Sequence, residues 1–513
     1  MSIFVKNKKM KMKNVLIVVL MLSGFLANAQ RNFCGTVYDK SMEERLIENK
    51  KAFFNLEERD DEWLYIPVHF HIVTKKDGTG GADIYKVLDE LCYMNKNYAN
   101  LKMKFYLSGD FSYIASDKLY SEPSSSLAGA LIKTNKKKFK NAVNIFIVNK
   151  IPSINEGPGI TLGYYTSKYD VLVVRSSQFG VNSKTLSHEL GHYFSLAHPF
   201  QGWEDDPYDA NKHGNPLKIL KINGHVIEFM DRSNCEIAAD KICDTPPDYN
   251  FGITDDGDCK LNGPILDYHK DTIVTMENNY MSYFFGCDHF EFTPMQGSAM
   301  RADFKSSKRK HIRSAYVPDT VFIDNAKGKI IEPKNNSTTQ YYDDVTLDWD
   351  DVPGATVYVV RISLRSQSFK PKFYWVYGES KLVLHDLEKN KRYKWHVRAF
   401  NDGNTCGKAF GGYSFKAGAY STASFDTDAI DELSIYPNPV NSEDIYIKTS
   451  TDLGKSNIEI YSIDGKLVET IYADIKKGNN KINLTHSNYQ KGIYNMIINT
   501  KDNKYIRKVL IEK

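Results

Sequence analysis

The stretch TLSHELGHYFSLAHPF, Thr185 to Phe200, decides how this chain is read. His188 and His192 stand four apart, so a helix carries both imidazoles on one face, one turn from each other. Zn²⁺ takes such a pair of ring nitrogens at roughly 2.0–2.1 Å, and Glu189 then projects beside the ion, placed to polarise a water. His198 follows six residues after His192. A continuous helix would rotate it away from the metal, so the helix must stop and turn back to bring in a third ligand. With 13 His in 513 residues, a third histidine at one fixed position cuts coincidence by about 40-fold.

About 90 residues further on comes Asn279-Tyr-Met-Ser-Tyr283. The order of the two motifs resembles the metzincin zinc proteases, which turn the helix at a glycine and place a methionine beneath the zinc. This chain has Ser195 at the glycine position. A serine held there at positive φ costs on the order of 1 kcal/mol more than glycine, less than three-ligand zinc binding returns. Asp240-Lys-Ile-Cys-Asp-Thr-Pro246, Phe292-Thr-Pro-Met-Gln296 and the strand Ile66-Pro-Val-His-Phe-His-Ile72 narrow the likeness. From about Ile66 to Arg301 the chain is similar to the pappalysin branch.

That resemblance implies His188, His192 and His198 as zinc ligands, Glu189 as general base and acid, Met281 as the Met-turn residue, and Tyr283 as transition-state stabiliser. It implies a structural Ca²⁺ on Asp240, Thr245 and the carbonyl of Ile242, although Ala239 replaces the family's glycine; hard oxygen donors suit that ion. The family's interlaced pairing implies the disulfides Cys235–Cys259 and Cys243–Cys287. Residues alone allow three pairings of those four cysteines. Cys34, in Asn32-Phe-Cys-Gly-Thr36, resembles the family's zymogen latch, a soft thiolate in the zinc position meant for water. The implied reaction is hydrolysis of peptide bonds in extracellular proteins. The region after the Met-turn, Phe284-Phe-Gly-Cys-Asp-His289, carries one acid, so no preference for basic residues follows.

Elsewhere the chain is ordinary globular material, 42% hydrophobic and 25% charged. A net charge of +4 without a basic stripe gives nucleic-acid binding no support. Residues 1–29 read as a signal peptide: Lys6, Lys8, Lys9, Lys11 and Lys13, an apolar run Val15 to Leu26, then Ala27-Asn-Ala29. Twelve apolar residues are too short for a span needing about 20, and no later segment reads as transmembrane. Residues 30–61 are charged, with few core candidates, and read as a pro-segment. Residues 62–317 read as the catalytic domain, a mixed sheet plus the active-site helix, with strands at Tyr65–Val73, Ala142–Val148 and Val171–Val174 and a helix over Asp83–Asn97. The overall class is α+β, followed by two all-β sandwiches.

Residues 328–420 have short alternating strands and resemble a fibronectin type III module, with Trp349 as its buried aromatic and Leu387 and Tyr393 as its tyrosine corner. Residues 430–513 are similar to the type A sorting domain of the type IX secretion system, through Ile435-Tyr-Pro-Asn-Pro439, Ile460 to Lys466 and the terminal Lys508 to Lys513. That likeness implies passage across the outer membrane of a Gram-negative, Bacteroidetes-type cell, with the secretion machinery as partner. The seven cysteines are odd in number. Cys92 reads as a core residue, Cys406 has no assigned role, and His69 and His71 read as sheet packing. The alternative to a protease is an exported adhesion protein on a degenerate protease scaffold.

Overall fold

The computed structural model describes residues 31–54, 62–153, 159–181, 183–254, 257–367, 371–421, 433–440, 443–463, 466–485, 488–500 and 503–512. The signal peptide and the hairpin signal Asp464-Gly465 lie outside them.

The amino-terminal lobe is layered on a seven-stranded sheet. Its strands are β1 (Arg31–Cys34), β2 (Leu64–Thr74), β3 (Met103–Leu107), β4 (Ser112–Ala115), β5 (Val143–Val148), β6 (Gly159–Thr166) and β7 (Val171–Arg175). They run in the order β1-β6-β7-β5-β2-β3, with β4 beside the second half of β2. Only β6 and β7 pair antiparallel. All six residues of β5 are buried, as a parallel strand covered on both faces requires. The longer helices are α1 (Lys40–Phe54), α2 (Ile84–Asn97), α3 (Ser126–Lys138), α4 (Thr185–Tyr193) and α5 (Pro294–Lys305). Asp83 caps α2 by accepting from Tyr85 N, and Ile84, Val87, Leu88, Leu91 and Met94 fill its apolar face.

The expected strands and the α2 helix are present within a residue or two. β1, β3, β4 and β6 were not anticipated; the glycines and paired tyrosines of GITLGYYT hide the alternation of β6. Within the charged stretch before Asp61, residues 40–54 are helical, which its composition did not suggest. α1 buries Met42 and Leu46, four apart, in the lobe's main core.

Residues 330–416 form a three-stranded sheet (Ile330–Glu332, Val345–Trp349, Lys381–Leu384) facing a four-stranded one (Lys372–Tyr377, Val357–Leu364, Arg392–Phe400, Phe410–Lys416). This is a fibronectin type III-like sandwich. Trp349 is buried in its core, and the Tyr393 hydroxyl accepts from Glu388 N at 2.8 Å. Residues 433–511 form a second three-on-four sandwich with a separate core.

The first sandwich is not a free bead. Its Val357, Val359 and Phe400 belong to the same core cluster as β2 and α2. Arg398, 2% exposed, pairs with Asp89 at 2.8 Å and donates to Tyr85 O at 2.8 Å. The cysteines overturn three expectations. Cys92 is bonded to Cys406, tying α2 to the sandwich, instead of being a plain core thiol. The other pairs are Cys235–Cys243 and Cys259–Cys287, not Cys235–Cys259 and Cys243–Cys287. The reason is local. Residues 235–243 close through tight turns at Ala239 and Lys241 (φ 43° and 61°), bringing their Cα atoms to 5.0 Å. The backbones at Gly257 and Gly286 abut so closely that Gly286 has no room for a Cβ. Three bridges leave Cys34 as the free cysteine.

Candidate metal centre

α4 presents His188, Glu189 and His192 from one buried face. It ends in a Schellman turn: Leu196 N donates to Gly191 O at 2.9 Å and Ser195 N to His192 O at 3.0 Å. Ser195 adopts φ 71°, the left-handed conformation that glycine supplies without strain. The reversal brings His198 back over the helix. Beneath α4 lies Met281, fully buried, with its Sδ where a Cβ on Gly191 would fall.

Each ring is oriented from behind. His188 Nδ1 faces Tyr280 O at 2.7 Å, His192 Nδ1 faces Leu196 O at 2.8 Å, and His198 Nδ1 faces Glu204 Oε1 at 3.2 Å. These acceptors assign the ring proton to Nδ1, so the three Nε2 lone pairs point into one gap. There the Nε2 atoms are 3.2, 3.1 and 3.3 Å apart. A tetrahedral ion with bonds of roughly 2.0–2.1 Å sets its nitrogens about 3.3–3.4 Å apart. Bare lone pairs at that separation repel, and burial pushes the His188 and His192 pKa values well down, so protonation does not relieve them. A cation does. The Cys34 thiol completes the set, its sulfur and the imidazole nitrogens lying within 4.8 Å of one another.

Cys34 also engages the base. Its Sγ donates to Glu189 Oε2 at 3.5 Å, and Thr36 Oγ1 donates to the same oxygen at 2.8 Å. Thr36 is fixed in turn by Tyr165 N, and β1 lies parallel along the β6 edge. Burial pushes Glu189 up to about 7 and raises the Cys34 thiol well above its ordinary value. Tyr283 stands beside His198, ring centres 5.1 Å apart, and its hydroxyl donates to Cys34 O at 3.4 Å.

Asp240, Ile242 and Thr245 converge as well: Thr245 Oγ1 lies 2.9 Å from Asp240 Oδ2 and 2.5 Å from Ile242 O, with one proton to share between them. Glu228 was missed in the sequence. It is 2% exposed, its Oε1 has no hydrogen-bond partner, and burial beside Asp240 raises its pKa. Asp244, inside the quoted Asp240–Pro246 motif but given no role there, caps α5 by accepting from Thr293 Oγ1 and Met295 N. No sequence pattern separates Glu228 or Glu204 from solvated acids. His69 and His71 are buried and bonded to Ser108 O, Ser112 and Asn144.

The molecule is therefore an exported multidomain chain whose first lobe carries a three-histidine, one-cysteine centre. Residues 434–512 match the family described as "Secretion system C-terminal sorting domain". That terminal domain places the protein across the outer membrane, secreted or displayed on the surface of a Bacteroidetes-type cell. No helix among the described residues is long and apolar enough to cross a membrane. No match was found among curated proteins. Similar solved structures include the BSP domain of a biofilm-associated protein (12% identity, 36% of this chain and 30% of that one, TM-score 0.14). A two-domain fibronectin type III segment of chicken tenascin also aligns (11% identity, 37% and 99%, TM-score 0.14). So does the fn3 domain of human collagen alpha-1(XX) chain (22% identity, 17% and 82%, TM-score 0.14). The chain spans under a third of the biofilm-associated protein it matches.

Proposed function

We propose that the chain is a secreted zinc endopeptidase of the pappalysin type, made latent by its own Cys34. The observation that carries this reading is the convergence of three Nε2 atoms at tetrahedral spacing beside Glu189. Zinc held there would act as a Lewis acid on a scissile carbonyl and bring the pKa of a water toward neutrality. Glu189, with its pKa raised to about 7, takes the proton of the attacking water and later hands it to the leaving amine. Tyr283 donates to the oxygen on which negative charge develops. In the latent chain Cys34 would hold the ion together with the three histidines, and Thr36 ties up Glu189. β1 also occupies the β6 edge, where an extended peptide would otherwise add as a strand. Asp240, Thr245, the Ile242 carbonyl and Glu228 form a calcium site; two buried carboxylates there favour a cation over mutual repulsion.

The test is metal analysis of the purified chain with casein cleavage, with and without a chelator, for the wild type and Glu189→Ala. The variant should keep zinc and fold and lose cleavage; sustained cleavage by Glu189→Ala refutes the assignment.

A further inference from the structure

The amino-terminal segment touches the lobe at two separate places. Residues 31–36 close the metal centre, as described above. α1 lies against α5 and the C-terminal end of α4, and none of its side chains is among the metal-site residues. Met42 and Leu46 are buried in the lobe's core. Between them Arg45 pairs with Asp303 at 2.9 Å, the two side chains 11% and 0% exposed, and donates to Tyr193 O at 3.0 Å. Asn49 donates to Asp303 Oδ1 at 2.9 Å and reaches Ser195 Oγ at 3.5 Å, while Tyr38 OH donates to Ser195 O at 3.2 Å. Lys50 pairs with Glu236 at 2.9 Å, and Glu43 with Lys241 at 2.7 Å. Asp303 does not depend on α1 for neutralisation, because its other oxygen is held by the buried Arg309 at 2.9 Å. Asp303, Tyr193 O and the Ser195 turn thus form a preformed receptor for a guanidinium and an amide on one helix face.

We propose that α1 is an affinity anchor: when the backbone is cut between α1 and the lobe, the fragment ending at Phe54 stays seated and keeps Cys34 at the metal centre. The inhibitory half of this statement rests on the latch reading above; the anchoring half does not. Scission removes the covalent tether, but α1 then supplies the tether non-covalently and holds the thiol at high local concentration. Activation accordingly needs two events, a cut and then loss or destruction of α1.

The experiment uses the full chain carrying Glu189→Gln, to prevent self-cleavage, with a site-specific protease sequence placed within residues 55–61. After cutting, gel filtration and mass spectrometry follow the fragment, and metal analysis follows zinc. The fragment should co-elute with the lobe at micromolar concentration. Arg45→Ala should weaken its retention on the order of 10-fold, the scale of losing hydrogen bonds to a charged group while Arg309 still neutralises Asp303. Cys34→Ala should retain it. Met42→Ser, which opens the apolar part of the same face, provides an independent second variant, and the uncut chains serve as folding controls. Separate elution of the unsubstituted fragment, or retention of both the Arg45→Ala and Met42→Ser fragments at wild-type strength, overturns the anchor. Absence of zinc with the fragment retained overturns only the latch.

Discussion

Replacing Ser195 with glycine should stabilise the lobe although the position is buried and the change removes atoms. Ser195 sits at the C′ position of a Schellman turn with φ 71°. The left-handed conformation costs an L-residue about 1–2 kcal/mol, which glycine escapes. Against that, glycine raises the entropy of the unfolded chain, an offset of about 0.4–1 kcal/mol. The hydroxyl's contact with Asn49 is long, at 3.5 Å, and Asn49 keeps its 2.9 Å bond to Asp303. The net gain is therefore about 0.5–1 kcal/mol, or roughly 1–4 °C in the melting midpoint of a lobe of this size. Calorimetry on chelator-treated protein reads it without interference from any bound metal, provided the lobe melts as its own transition. Ser195→Ala is the control, since it loses the hydroxyl and keeps the strain; its midpoint should not rise. A lower midpoint for Ser195→Gly, or an equal gain for Ser195→Ala, would show that backbone strain is not what the turn stores.

Acid should weaken the lobe through His69 and His71. Burial lowers their pKa values to about 4 and about 3, so neutral rings contribute stability that is complete above about 6.5 and is lost as pH falls below it. At pH 5 the loss is on the order of 2 kcal/mol for each ring. His71→Asn should flatten the acid limb of a denaturant-midpoint profile between pH 4 and 6.5, and an unchanged slope would contradict the burial argument. The double variant Cys92→Ser and Cys406→Ser should destabilise the lobe and the first sandwich by about 2–4 kcal/mol, read as a lower urea midpoint and faster protease nicking between them. An unchanged midpoint would show that Arg398 and the shared core alone hold the two units.

The chemistry-bearing residues were legible because their spacing has geometric meaning. Histidines four apart share a helix face whatever surrounds them, and a third six residues beyond requires a reversal; that the reversal falls at Ser195 came from the metzincin resemblance, and its φ of 71° from the fold. The strands of the two sandwiches showed for the same reason, as alternation of period two. Glu204, Glu228 and Arg45 carried no such signal. An acid that orients a histidine, one buried against another carboxylate, and an arginine inserted behind a helix look like solvated charges until their partners are in place.

The disulfides mark the boundary most clearly. Composition showed that one of seven cysteines must lack an intramolecular partner, and the Cys-Gly-Thr resemblance named Cys34 as the latch. Which of the others meet depends on how loops close. The turns at Ala239 and Lys241 bring Cys235 to Cys243, and only the docking of the sandwich on α2 brings Cys406 to Cys92 across 314 residues. By itself the sequence determined the local geometry of the histidine-bearing helix, the sandwich strands and the export address, because each is written in short-range periodicity or motif. The fold alone decided the pairings, the buried charges and the seat of α1. Most of those are contacts between distant segments, whose energy depends on desolvation that no local pattern records; the Cys235–Cys243 loop is short, but its closure depends on left-handed turns that residue types alone do not mark.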